Sequence, residues 1–134
     1  MKAIFKPGDQ KEFKKIITSA DIATFSEQIV HSVYATFSLS RDAEWTTRQF
    51  VLEMKEEDEE GIGTFLSVEH KNPAFPGEEI IFTAWVDHIE GNELTCFYEA
   101  KVGMRLIAIG RTGQKVLKKD KLEHLFNSVK ETGV

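Results

Sequence analysis

TFSLSRDAEWTTRQFVLEM, residues 36–54, is the stretch on which the fold turns. Ala43, Thr47, Phe50, Val51 and Met54 recur along it at helical spacing and form one apolar face. Ser40 is placed to cap a helix running from about Arg41 to about Lys55, its hydroxyl accepting from an orphan amide of the first turn. Asp42 and Glu44 then fall where the helix dipole favours negative charge. The stripe is thin for a bundle and suits one helix pressed against a sheet.

The chain after the helix supplies that sheet. From Gly61 to Asn72 side chains alternate between two faces, with Thr64, Leu66, Val68 and His70 on one of them. PAFPG at residues 73–77 is a rigid connection. Glu78 to Glu90 is apolar on both faces, Ile80, Phe82, Ala84 and Val86 against Ile81 and Trp85. Gly91-Asn92 signals a hairpin, Glu93 to Val102 returns, Gly103 turns, and Met104 to Leu117 goes out again. Gly110 and Gly113 in that last strand predict a bulge or the close approach of another backbone. Lys119 to Lys130 carries a short apolar stripe and predicts a closing helix. Before the long helix, Glu12 to Thr18 reads as a strand. Ile22, Phe25, Ile29 and Val33 suggest short helical turns begun by Ser19 or Asp21.

The order implies an α+β fold in which an antiparallel meander wraps one long helix. Its open edges and two-sided apolar strand imply pairing with a second copy. A length of 134 residues, 41% of them hydrophobic and 29% charged, fits one domain spanning 1–134 with a real core. A net charge of −5 argues against nucleic acid as a partner. No apolar run of about 18 residues argues for a membrane span, and the N-terminal residues lack the apolar core of a signal peptide, so a cytoplasmic location is expected. The lone Cys96 has no disulfide partner and reads as a buried thiol. The EEDEE run at 56–60 reads as a solvated acidic break, and the four histidines have no metal-ligand spacing, so no metal is expected.

Three polar residues lack an evident structural task. Glu44 lies at the margin of the helix stripe, where desolvation by a covering subunit would make it a stronger base. His70 ends a strand face and titrates near neutrality. Thr36 precedes the helix. The cations Arg105, Arg111, Lys115, Lys118, Lys119 and Lys121 offer either a solvated surface or a perch for phosphates, though no phosphate-binding glycine loop is present.

The helix and the adjoining GIGTFLSVEHKNPAFPGEEIIFTAWV, residues 61–86, resemble the hot-dog fold of acyl-CoA thioesterases, most closely the fluoroacetyl-CoA thioesterase-like family. VYAT at 33–36, the Glu44-Trp45 pair, GTFLSVEH at 63–70 and P-x-x-P-G at 73–77 carry the resemblance, which runs from about Thr18 to Phe126. It implies a catalytic set of Thr36, Glu44 and His70, a glycine near the thioester at Gly63, and an active site between two subunits of a homodimer, with tetramers left open. Acyl-CoA is then the substrate, and CoA enters as part of it rather than as a cofactor. Two departures argue against a fluorinated substrate. Gln114 stands where the fluoroacetyl-specific member has an arginine, and Glu27 and Val30 stand where its aromatic lid is expected. A short or medium acyl-CoA hydrolase is the leading expectation. A non-catalytic acyl-CoA or small-ligand binding module and a hot-dog hydratase compete with it.

Overall fold

The computed structural model describes residues 1–25 and 28–134. The elements are β1 (Gln10–Ile16), a 3-10 turn (Ser19–Asp21), β2 (Ile22–Phe25), β3 (Gln28–Tyr34), α1 (Thr36–Met54), β4 (Glu59–Leu66), β5 (Glu69–His70), β6 (Glu79–Glu90), β7 (Glu93–Val102), β8 (Arg105–Lys118) and α2 (Lys119–Thr132). Gly91 and Gly103, at φ of 59° and 56°, make the tight turns that fold β6, β7 and β8 into a meander. β1 joins the β6 side and β4 the β8 side, giving the order β1-β6-β7-β8-β4 with β5 also on β8 and every pair antiparallel. β2 and β3 form a separate hairpin.

α1 packs on this sheet, touching β1, β4, β6, β7 and β8. The predicted stripe is the buried face: Ala43, Thr47, Phe50 and Val51 have no exposed surface and Met54 is 1% exposed. Opposite it lie Ile80, Phe82, Ala84 and Val86 of β6, with Leu94, Cys96, Tyr98 and Ala100 of β7. Phe5 closes one end, its ring edge-on to Phe50 at 5.0 Å. Cys96 is buried, as expected, and burial pushes its thiol up to about 12. The antiparallel sheet curled on a central helix is the predicted α+β hot-dog architecture.

The details depart from expectation in five places. The helix starts at Thr36, ahead of Ser40. The Ala35 amide is taken by the Asp21 carbonyl, Leu39 N–H closes on Ala35 O, and the Ser40 hydroxyl donates to Thr36 O at 2.7 Å instead of capping. Ile22–Phe25 and Gln28–Tyr34 form strands rather than helical turns. Register shifts at Ile22/Ala23 and Ala23/Thr24 break the two-residue alternation that would have marked them. Thr18, rather than Ser19 or Asp21, caps the 3-10 turn, and the Asp21 carboxylate answers it by accepting from Thr18 N–H at 2.9 Å.

The strand expected over 61–72 is split between β4 and β5, and between them the Ser67 carbonyl lies against Gly110 of β8. A side chain at Gly110 would collide with that carbonyl, and Tyr98 donates its hydroxyl to it at 2.8 Å. Gly110 thus serves the backbone approach inferred for it, whereas at Gly113 a side chain would collide with the Phe65 ring, opposite the β4 register shift between Gly63 and Phe65. The acidic run is only partly solvated. Glu59 is 7% exposed and accepts from the Met1 ammonium at 2.7 Å, while Glu60 pairs with Arg48 at 3.0 Å.

Candidate active site

Thr36 and His70 are far apart in sequence and meet in space. His70 is held in β5 opposite Ala108, and the next amide, Lys71 N–H, donates to Ile107 O at 2.7 Å. Beyond PAFPG's first residue the chain returns to the helix entrance, where Tyr34 N–H donates to Ala74 O at 2.8 Å. Thr36 Oγ1 and His70 Nδ1 lie 3.0 Å apart. With the imidazole neutral and its proton on Nε2, the threonine hydroxyl donates to Nδ1. Nε2 is buried and has no partner among the described residues. Burial pushes the imidazole below its ordinary value of 6.5, and the Asn72 backbone offsets only part of that, so the ring is neutral at pH 7.

Glu44 stands elsewhere on the protomer surface. It is exposed and makes no side-chain hydrogen bond among the described residues. Eight residues separate it from Thr36, about 12 Å of helical rise. Its carboxylate lies over Gly63 of β4, where a Cβ would come 2.5 Å from Oε1. The glycine expected near the reacting group thus leaves room for the glutamate.

Gln114 pairs with Gly63 across β8 and β4 and is 2% exposed. Its amide donates to Thr47 Oγ1 at 3.2 Å, and that hydroxyl donates to Glu44 O at 3.1 Å. Gln114 therefore braces the helix turn that carries Glu44, and its amide faces the interior. Of the two lid positions, Val30 is half exposed on β3 and Glu27 falls outside the described residues.

Beside Thr36 opens a cavity of about 530 Å³. Ile22, Ala23 and Phe25 of β2, with Ala35 and Phe37, give it apolar walls, and Thr36 and Arg41 bring polar atoms to its edge. Behind Arg41 is a network that the sequence did not reveal. Lys15 Nζ donates to Asp21 at 2.9 Å and to Asp42 at 3.0 Å, and Tyr34 donates its hydroxyl to Asp42. Arg41 reaches Asp21 at 3.2 Å and Asp42 at 3.4 Å. Burial and the adjacent Asp42 carboxylate drive the Tyr34 phenol far up, which keeps it a neutral donor. Burial alone would raise Asp21, but the Thr18 amide, Lys15 and Arg41 outweigh it and hold the carboxyl below its ordinary value. The available signal was Asp42 itself, an acid beside Ala43 on the buried side of the helix.

Among the described residues no cluster of three or more histidine, cysteine or acidic side chains is arranged to hold a metal, and no helix is long and apolar enough to cross a membrane.

A curled antiparallel sheet on a central helix is the hot-dog fold. A family model described as fluoroacetyl-CoA-specific thioesterase matches residues 17–120, and the chain belongs to that family. A hypothetical protein of Thermus thermophilus, a thioesterase superfamily member, is 35% identical over 94% of this chain and 93% of its own, with a TM-score of 0.88. The fluoroacetyl-CoA thioesterase FlK shares the fold at 20% identity over 92% of this chain and 96% of its own, TM-score 0.83. A hot-dog-like protein from Thermanaerovibrio acidaminovorans does so at 21% identity over 92% of each chain, TM-score 0.85. No curated protein matches the chain.

Proposed function

We propose that this protein hydrolyses a short or medium acyl-CoA to the free acid and CoA, with Thr36, Glu44 and His70 as its polar machinery. The observation that carries the reading is the 3.0 Å contact between Thr36 Oγ1 and His70 Nδ1, beside a cavity with apolar walls. A neutral imidazole accepts a proton at neutral pH, and the threonine it contacts is one of the residues lining the cavity. Thr36 is also the first residue of α1, whose unpaired amides favour the negative charge that develops on a thioester oxygen.

Glu44 completes the set when a second copy covers it. In a homodimer the partner shuts water away from the carboxylate over Gly63. Glu44 then activates water or attacks the carbonyl carbon itself. With water as nucleophile, its oxygen bonds to the carbonyl carbon while Glu44 takes its proton. The C–S bond breaks as the thiolate leaves with the electron pair and is protonated by way of His70. With Glu44 as nucleophile, the C–S bond breaks to leave an acyl–Glu44 anhydride, which water then splits into the acid and the free carboxylate. In labelled water, label in Glu44 marks covalent attack, and label confined to the acid marks general-base hydrolysis. FlK variants have been crystallised with fluoroacetate and CoA and with acetyl-CoA, ligands of the same thioester chemistry.

Thiol release from a panel of acyl-CoAs tests the reading. Glu44→Gln and His70→Ala are each expected to lower kcat by roughly a hundredfold or more, the usual contribution of an acid–base group. Tight binding of acyl-CoA without turnover by the intact protein would instead make it a binding module. The exposure of Glu44 in the protomer is what keeps that second reading in play.

A further inference from the structure

Arg41 is the charged side chain of the cavity beside Thr36, and the proposed thioester reaction gives it no task. Its guanidinium is held from behind. Nη2 bonds Asp21 at 3.2 Å, and Nε reaches Asp42 at 3.4 Å. Asp21 and Asp42 are themselves 3% and 5% exposed, and Lys15 locks both of them. A planar guanidinium gripped along one edge has its remaining donors aimed by geometry rather than by chance. The Arg41 side chain is 57% exposed, and Nη1 makes no hydrogen bond among the described residues.

The local charges balance, two cations against two carboxylates, so a broad positive field is not what this corner offers. It offers an oriented pair of N–H donors at the edge of an apolar cavity, a geometry that suits a carboxylate or a phosphate oxygen. The remaining wall, formed by Ile22, Ala23, Phe25, Ala35 and Phe37, suits a hydrocarbon segment. The site therefore fits an apolar chain ending in an anion.

Resting on the thioesterase reading, we propose that Arg41 selects thioester substrates by binding an anionic group that they carry, either a carboxylate at the far end of the acyl chain or a phosphate of the carrier arm. The buried Asp21 and Asp42 are positioning residues for this guanidinium. Thr36 and Arg41 would then contact the two ends of the bound segment.

Four probes separate the sources: acetyl-CoA, succinyl-CoA, S-acetylpantetheine and S-succinylpantetheine. The intact protein is expected to favour at least one anion-bearing probe over S-acetylpantetheine by tenfold or more in kcat/KM. Arg41→Gln should erase that preference while leaving S-acetylpantetheine within about twofold. A loss confined to the succinyl compounds assigns the anion to the acyl chain, and a loss confined to the CoA esters assigns it to the phosphates. Arg41→Lys, which keeps the charge and its grip on Asp21, should retain part of the preference. Equal handling of all four probes by the intact protein overturns the proposal without any variant. So does a uniform loss across all four in Arg41→Gln, which would mark a purely structural arginine. If the intact protein hydrolyses none of them and no medium-chain acyl-CoA, the thioesterase reading fails alone. Calorimetric affinities of the same probes, with and without Arg41→Gln, then decide whether Arg41 binds the anion.

Discussion

Gly63 shows how much one missing methyl group can govern. A Cβ there would sit 2.5 Å from Glu44 Oε1, closer than real contacts allow. The obstacle is the end of a flexible side chain, so the fold yields cheaply while the carboxylate moves. Gly63→Ala is therefore expected to leave the melting temperature within a few degrees and to lower kcat at least tenfold, as thiol release would read. Unchanged turnover would place the carboxylate outside the reaction. His70 supplies a second prediction at this scale. Burial lowers its pKa, so the basic form persists below the ordinary histidine value of 6.5. The acid limb of kcat/KM should fall below pH 6.5 and vanish in His70→Ala. The same shift acts on stability. A lowered folded pKa means that the unfolded chain binds the proton more readily, so this contribution is lost as pH falls from 6.5 toward the folded value.

At the scale of elements, the buried ion network ties β1, the 3-10 turn, β3 and the start of α1 into one block. Lys15→Met would leave Asp21 and Asp42 with Arg41 as their remaining cation. Stripping one partner from a fully buried pair costs about 3–5 kcal/mol. Lys15 keeps 19% exposure, so the loss should be smaller, about 2–3 kcal/mol in a denaturant titration. A change under 0.5 kcal/mol would show that Arg41 and solvent suffice for both acids. Because this block carries Thr36 on its helix, the variant should also lose turnover before it loses its fold on warming.

For the whole molecule, the proposed reaction requires one protomer to cover another. Phe37 and Phe25 are 80% and 75% exposed, and Trp45, next to Glu44, is 44% exposed. Scattered exposed apolar residues are ordinary, but these flank the proposed site from two elements. Sedimentation is expected to give a dimer with a concentration-dependent melting temperature. Trp45→Lys should yield folded monomers that no longer turn over thioester. A monomeric intact protein with full activity would remove the shared site from the account.

The chain itself determined the helix stripe and the meander, because both rest on short-range periodicity, while the hot-dog class came through the family resemblance. Ala43, Thr47, Phe50, Val51 and Met54 face inward for the same reason that they recur at helical spacing. Gly110 also announced the close approach of the Ser67 backbone, since a missing side chain is visible before the fold is known. The helix start at Thr36 was not legible, because it is set by the Asp21 carbonyl, which lies outside the helix and is delivered only by folding. Nor was the β2–β3 hairpin, whose register shifts scramble the strand alternation. Thr36, Glu44 and His70 were named through family resemblance, since no local pattern links residues so far apart. Tertiary structure alone brought Thr36 to His70, turned Gln114 inward onto Thr47, and set Lys15 between two buried carboxylates. Periodicity reports which face a residue occupies, whereas hydrogen bonds between distant segments depend on where the sheet curls.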